Sequence, residues 1–232
     1  MGLNKVKQGS QMYQGWITHT WNPLAGKCLH NCSYCSTNRL RKRFPIISDK
    51  YSGKPRVQKS EMKTNLGKDN YIFIVGQNDL FADDVPNEVI VEILDYCKKI
   101  NNKYLFQTKN PVRMLYNEFP INSILGTTIE TNRFYPEIMN KCPLPEKRSY
   151  YLGLINSNGL YKTFVTIEPI MSFDLKELIG LIKFIQPSFV NIGADSGNNN
   201  LPEPSKEKIL QLIVELEKFT KVKLKSNLNR LL

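Results

Sequence analysis

The chain has 232 residues, 41% apolar and 23% charged, with a formal net charge of +11. That length suits one domain of α/β-barrel size, the apolar share supplies a real core, and no apolar run approaches the roughly 20 residues that cross a bilayer. The opening M-G-L-N-K-V-K-Q-G-S has neither the apolar core of a signal peptide nor the Ser or Thr that a myristoylated Gly2 wants, so a cytoplasmic protein is expected.

In chain order, G-W-I-T-H-T-W (15–21) reads as a first strand, with Trp16, His19 and Trp21 packing or capping it. Next comes C-L-H-N-C-S-Y-C (28–35), which places three of the five cysteines and one of the two histidines within eight positions. An odd number of cysteines argues against a disulfide framework, and clustered thiols in a reducing compartment more often hold metal. Cys97, in an apolar helical stretch, and Cys142, beside Pro143, read as buried structural thiols.

A helix is expected around Thr37–Phe44. From Arg39 to Lys68 ten Lys or Arg face only Asp49 and Glu61, so this segment carries +8 of the net charge. Such a stretch either solubilises a surface or attracts a polyanion through counterion release.

From residue 71 onward, near-continuously apolar runs alternate with helical periodicity. Y-I-F-I-V (71–75), Y-L-F-Q-T (104–108), I-L-G-T-T-I (124–129), T-F-V-T-I (163–167) and F-V-N-I-G (189–193) read as parallel strands buried on both faces. Between them lie V-P-N-E-V-I-V-E-I-L-D-Y-C-K-K, the shorter N-P-V-R-M-L-Y with Asn110 as its cap, and two amphipathic helices capped by Asp174 and Ser205. A final V-K-L adds a last strand. The Tyr135–Tyr161 region reads as an irregular, Pro-rich insertion. About six βα units in sequence predict an α/β fold, a partial (βα)6 TIM-like barrel of parallel strands with helices outside, forming a single domain over 1–232. Polar residues follow nearly every strand: Gln77-Asn78-Asp79, Lys109, Glu130, Glu168 and Asp195. In parallel α/β folds that edge is where ligands bind, and the cysteine loop opens onto the same edge.

The cysteine loop has three readings. A structural zinc site needs four ligands, which would recruit His30 at a very tight spacing. A C-x-x-C redox pair of Cys32 and Cys35 leaves Cys28 unexplained. An iron–sulfur cube on three thiolates leaves one iron open to an outside ligand.

The spacing C-x3-C-x2-C, with Tyr34 before the last cysteine, resembles that of the radical S-adenosylmethionine (SAM) superfamily. Further blocks, W-N-P-L-A-G-K-C, N-D-L-F-A-D-D-V-P, F-Q-T-K-N-P-V-R-M, L-G-T-T-I-E, I-E-P-I and G-A-D-S-G, are similar to the ordered motifs of a phage-associated family of radical-SAM-like proteins. They run from Trp21 to Gly197. Ala194-Asp195 stands where that family usually has Gly-Glu, and many members space their first two cysteines more widely.

The resemblance implies a [4Fe–4S] cluster on Cys28, Cys32 and Cys35, with SAM as cosubstrate and His30 as a bystander or outer group. It implies Tyr34 near the adenine and Gly76, Gln77, Asn78 and Asp79 near the methionine ammonium. Thr128 and Glu130 would meet the ribose hydroxyls, and Lys109 and Glu168 would contact SAM, the substrate or each other as an ion pair. No residue stands out as a hydrogen-atom donor, Cys142 or a tyrosine being the candidates. An external electron donor such as flavodoxin or ferredoxin is implied as partner. The expected function is a radical SAM enzyme modifying a nucleotide or nucleic acid, met through the basic Arg39–Lys68 insertion. The alternatives are a non-catalytic, metal-stabilised nucleic-acid-binding protein, or a radical SAM enzyme acting on a small metabolite or peptide.

Overall fold

The computed structural model describes residues 2–7 and 16–232; Gly15, the first residue of the expected opening strand, and part of the N-terminal stretch lie outside the described residues. In chain order the strands are β1 (Asn4–Lys5), β2 (His19–Trp21), β3 (Leu24–Ala25), β4 (Arg56–Val57) and β5 (Tyr71–Ile74), then β6 (Lys103–Thr108), β7 (Ser123–Thr128), β8 (Lys162–Ile167), β9 (Phe189–Ile192) and β10 (Lys221–Leu224). The helices are α1 (Ser36–Arg43), α2 (Pro45–Lys50), α3 (Asn87–Lys98), α4 (Pro136–Met139), α5 (Pro145–Ser157), α6 (Leu175–Ile185) and α7 (Lys206–Glu217).

One sheet runs β1-β2-β5-β6-β7-β8-β9-β10. Every neighbouring pair is parallel except β1 with β2. The strands follow one another across the sheet in chain order, as right-handed βα crossovers dictate. The sheet is open but curled. Trp16, just before β2, packs on Phe189 of β9 with ring centroids 5.5 Å apart, and Lys223 of β10 sits 4.7 Å from the Trp16 ring. The end holding the strand starts is therefore drawn together, while the strand C-termini stay apart.

The two faces of the sheet pack differently because side chains alternate along each strand. Residues such as Ile72, Phe106, Val165, Val190 and Ile192 point outward into the large core under the helices. Phe73, Leu105, Phe164 and Phe189 point inward and fill the narrow end with Ile17. Gly126 is required there, because a Cβ on it would stand 2.2 Å from the Phe164 ring.

Two expectations are corrected. The Tyr135–Tyr161 region is not an irregular insertion: its main part is α5, a 13-residue crossover helix between β7 and β8. Its periodicity is blurred because it buries Arg148, Ser149 and Gly153 together with Leu152 and Ile155. The basic segment is likewise built into the fold. β4 pairs antiparallel with β3, and Lys50 is buried, donating to the Asn22 carbonyl at 2.7 Å and to Glu61 at 3.0 Å. Among the helix caps, Ser205 accepts from the Lys208 N–H. Asp174 instead pairs with Arg133, and Asn110 donates to the Phe81 carbonyl and Asp83, leaving residues 111–116 as a 3-10 turn. Among the described residues, no helix is long and apolar enough to cross a membrane.

Candidate active site

A cleft of ≈ 490 Å³ opens at the strand C-termini, a size ordinary for a small-molecule site. Its walls include Cys28, Cys32, Tyr34 and Cys35 from the cysteine loop, Gly76, Gln77, Asn78 and Asp79 after β5, and Lys109 after β6. Thr128, Thr166, Glu168, Asp195 and Lys225 complete the circuit. The sequence expectation that residues behind successive strands converge on the cysteine loop is met by every candidate but Glu130.

The cysteine loop is held from two sides. On one side, His30 Nε2 lies 2.9 Å from Asp79 Oδ2. Asp79 also accepts from Thr108 Oγ1 at 2.6 Å and from the N–H groups of Lys109 and Phe81 at 2.8 and 3.0 Å. Although burial alone would raise its pKa, the imidazole and these donors hold it down to about 2. The same carboxylate raises the pKa of His30 against the effect of burial. Its four donors occupy the lone pairs that an ammonium would need, so the structure makes Asp79 the anchor of the loop and not an open acceptor. His30, expected as a bystander or outer group, is the other half of that anchor, behind the cysteines.

On the other side, Ser33 N–H donates to the Ile138 carbonyl at 2.9 Å and Lys141 N–H to the His30 carbonyl at 3.3 Å. These bonds strap the α4 region to the loop and set Cys142 Sγ 3.3 Å from Cys32 Sγ. Met139, Met171 and Leu201 enclose the two thiols. Contact with Cys142 and the nearby Lys109 charge lower the Cys32 pKa to about 6 despite burial, while burial and the Asp79 charge push Cys28 up to about 12.

Glu130 is fully buried and does not reach the cleft. Its carboxylate accepts from Arg148 Nη1 at 2.6 Å and from the Tyr34 hydroxyl, with Lys109 Nζ 3.5 Å away. Burial would raise its pKa, but Arg148 and Lys109 hold it at about 2. The expected bond from Glu130 to a ribose hydroxyl does not fit this placement, because the group is spent on internal cations behind the wall. Tyr34 does line the cleft, fixed by that bond and by Lys109 5.4 Å from its ring. Arg148 carries no signal of its own in the sequence; its burial follows from the packing of α5 on several sides.

Of the three contacts open to Glu168 and Lys109 in the sequence, their mutual ion pair is not formed. Glu168 accepts from Lys225 at 2.6 Å and from Asn227 at 2.9 Å, whereas Lys109 faces Glu130. Gly193 allows this, since a Cβ there would meet Glu168 Oε1 at 2.7 Å. Thr37 donates to the Gln77 carbonyl at 2.8 Å, and Asn78 Nδ2 to the Gly26 carbonyl at 2.9 Å, which ties the loop after β5 to the cysteine loop and α1. That loop starts at Val75, whose φ of +57° is strained for a β-branched residue. Asp195 spends its carboxylate closing its own loop, accepting from Gly197 N–H at 2.9 Å and Asn199 Nδ2 at 2.6 Å.

Among the described residues, no three His, Cys, Asp or Glu side chains gather closely enough to hold a single metal ion. The three cysteines share one loop without converging on one point, and His30 is committed to Asp79. This donor set does not suit a tetrahedral zinc. Cys28, Cys32 and Cys35 would fit as thiolate ligands of an iron–sulfur cluster.

Solved structures with a similar fold include spore photoproduct lyase and SuiB. Spore photoproduct lyase in complex with dinucleoside spore photoproduct matches with a TM-score of 0.62 at 13% identity, over 91% of this chain and 78% of the lyase. A mutant of that lyase with bound AdoMet and the dinucleoside matches at 0.63 and 11%, over 97% and 80%. SuiB from Streptococcus suis bound to S-adenosylmethionine matches at 0.55 and 10%, over 89% of this chain and 50% of SuiB. No curated protein matches the sequence. The fold is thus the partial barrel of radical SAM enzymes. Residues 13–145 match the family described as "Protein of unknown function (DUF5131)", and since they make up more than half of the chain, the protein belongs to that family.

Proposed function

We propose that the protein is a radical SAM enzyme acting on a nucleotide or nucleic-acid substrate, with Cys28, Cys32 and Cys35 as the ligands of a [4Fe–4S] cluster. The observation that carries this reading is the set of three cysteines, unsuited to one ion, on a loop at the C-terminal edge of a radical SAM fold. When bound and reduced, such a cluster supplies the electron that splits SAM into methionine and a 5′-deoxyadenosyl radical.

The chain's own residues prepare that site. The His30–Asp79 and Ser33–Ile138 ties fix the loop before any ligand arrives, and Met139, Met171 and Leu201 keep water from its rear. The Gly76 backbone and the Gln77 side chain face the amino-acid end of SAM, Asn78 holds their loop through Gly26 and the Asp79 N–H, and Thr128 turns a hydroxyl towards the ribose. Tyr34 and Lys109 form the adjoining wall. Support for the substrate half comes from Arg39 and Arg41, which line the cleft mouth from the basic segment, and from the dinucleoside carried by the structurally similar lyase.

The test is anaerobic reconstitution with iron and sulfide. Brown protein with broad absorbance near ~400 nm, which cleaves SAM once reduced and stays colourless when Cys28, Cys32 or Cys35 is replaced by Ala, is the expected result. Colourless protein holding one zinc per chain overturns the reading. Oligonucleotide affinity should fall steeply with salt and should weaken in Arg41→Gln; salt-independent binding, or none, removes the nucleic-acid half.

A further inference from the structure

Two of the five cysteines meet across the chain. Cys142 Sγ lies 3.3 Å from Cys32 Sγ, although the residues are 110 apart in sequence. A disulfide holds its sulfurs about 2.05 Å apart, so bonding asks for an approach of only about 1.2 Å. The backbone at Cys142 is pinned on both sides. Asn140, with a φ of +53°, turns the chain out of α4, and Cys142 N–H donates to the Met139 carbonyl at 3.1 Å. Just beyond, the Pro143 carbonyl accepts from Arg148 Nε at 2.7 Å, from the same arginine that holds Glu130. The Ser33 and Lys141 ties fix the cysteine loop against this segment. The two sulfurs thus face each other in a frame built by other contacts.

Packing gives no reason for a thiol at position 142. Met139, Met171 and Leu201 surround it, and a small apolar residue would suit that pocket as well; for a buried free cysteine, reactivity decides more than packing. The two thiols also differ in access. Cys32 is among the walls of the cleft and Cys142 is not, which does not suit Cys142 as a hydrogen-atom donor to a substrate there. We infer that Cys142 is the resolving thiol of Cys32: when Cys32 holds no iron and peroxide reaches it through the cleft, the two close a reversible disulfide. In the first step the Cys32 sulfur takes one oxygen from hydrogen peroxide, becoming a sulfenic acid, and the other oxygen leaves as water. In the second, the Cys142 sulfur attacks that of Cys32, the S–O bond breaks, and the hydroxyl departs with the Cys142 proton as water. Two thiols thereby lose two electrons, and one peroxide becomes two waters. A dithiol reverses the bond by exchange, whereas an unguarded Cys32 goes on to a sulfinic acid that no dithiol restores. Transient disulfides of this kind are the usual ones in a reducing compartment. The bond withholds one of the three cluster thiolates, so assembly of the cluster waits on reducing conditions. That consequence rests on the cluster reading above; the thiol pair itself does not.

The experiment treats the full chain, before iron is added, with a small excess of hydrogen peroxide and maps its cysteines by peptide mass spectrometry. The parent should lose two hydrogens and yield a linked pair of peptides carrying Cys32 and Cys142, with Cys97, fully buried in α3, unmodified. Its uptake of iron and sulfide should be blocked after peroxide and return in full with dithiothreitol. Cys142→Ser should take up iron and sulfide like the parent before peroxide. After peroxide it should gain two oxygens on Cys32 and recover no uptake with dithiothreitol. A thermal midpoint shows whether the variant is folded, and the parent's peptide map decides the pairing even if it is not. Three outcomes overturn the inference: Cys32 linked to Cys28 or Cys35; a free Cys142 beside a sulfinic Cys32 in the parent; or a folded Cys142→Ser that takes up no iron before oxidation, which would make Cys142 a ligand. A chain that forms the Cys32–Cys142 link but takes up no iron, oxidised or reduced, would sink the cluster reading alone. A brown, SAM-cleaving chain whose map lacks that link would sink this one alone.

Discussion

The carboxylates that follow β5 and β7 and the polar side chains inside β8 and β9 are equally buried and oppositely treated. Asp79 and Glu130 each gather several donors: imidazole, hydroxyl and backbone N–H for the first, guanidinium, phenol and ammonium for the second. Thr166 and Asn191 gather none among the described residues. A buried charge without partners is intolerable, so the fold completes those networks internally and gains a rigid frame for the cysteine loop. A buried neutral group without partners is only costly, and a stable fold can carry it.

The largest test of this contrast is Arg148→Met. It leaves Glu130 buried with Lys109 as its only cation, and should cost about 3–5 kcal/mol in urea denaturation. Adding Glu130→Leu should restore most of that loss; if the double variant is no better than the single one, the pair is not the unit described. Next comes acid. Asp79 and Glu130 ionise at about 2 in the folded chain against ordinary values of 3.8 and 4.5. A lowered folded pKa means stability that is whole above the unfolded value and drains as pH falls through the folded one. Denaturation midpoints should therefore hold down to about pH 5 and drop steeply towards pH 2, with a flatter slope in Glu130→Gln.

A smaller effect separates partnered from unpartnered hydroxyls within the same row. Gln107→Leu strands Thr128 Oγ1 and should cost about 1–2 kcal/mol, whereas Thr166→Val strands nothing and should cost close to zero. Equal losses would erase the distinction on which the contrast rests. Smallest of all, Lys59→Ala removes an exposed ion pair with Glu92 and should change the midpoint by less than about 0.5 kcal/mol.

Much of this was readable before the structure. Parallel strands announce themselves as unbroken apolar runs, and the five from 71 to 193 appear within two residues of where the sequence placed them, as does the closing strand at 221–224. The cysteine loop, Tyr34 and the residues after each strand, Glu130 excepted, converge as their positions in the βα units required. α5 was illegible because helical periodicity records one apolar face, and this helix is packed on several sides, with an arginine and a glycine among its buried residues. The basic segment misled in part. Formal charge is additive along a chain, but Lys50 is paired inside with Glu61 and Lys59 outside with Glu92, and of the ten cations Arg39 and Arg41 line the cleft.

The sequence by itself determined the order of the βα units and hence which loops share an edge, because strand register and crossover handedness leave few alternatives. It also determined the spacing of the three thiols, a covalent fact. Only the tertiary structure decided which carboxylates are free. Asp79 and Glu130 look alike from the sequence, each a strand-end acid, yet both are consumed by partners remote in the chain, His30 lying 49 residues from Asp79 and Tyr34 lying 96 residues from Glu130. It also decided that Asn191, an interruption in F-V-N-I-G, faces the inside of the barrel with its bonds unmade. Burial and pairing are properties of long-range contacts, and those contacts make anchors of two strand-end acids while leaving the polar groups of Thr166 and Asn191 without partners among the described residues.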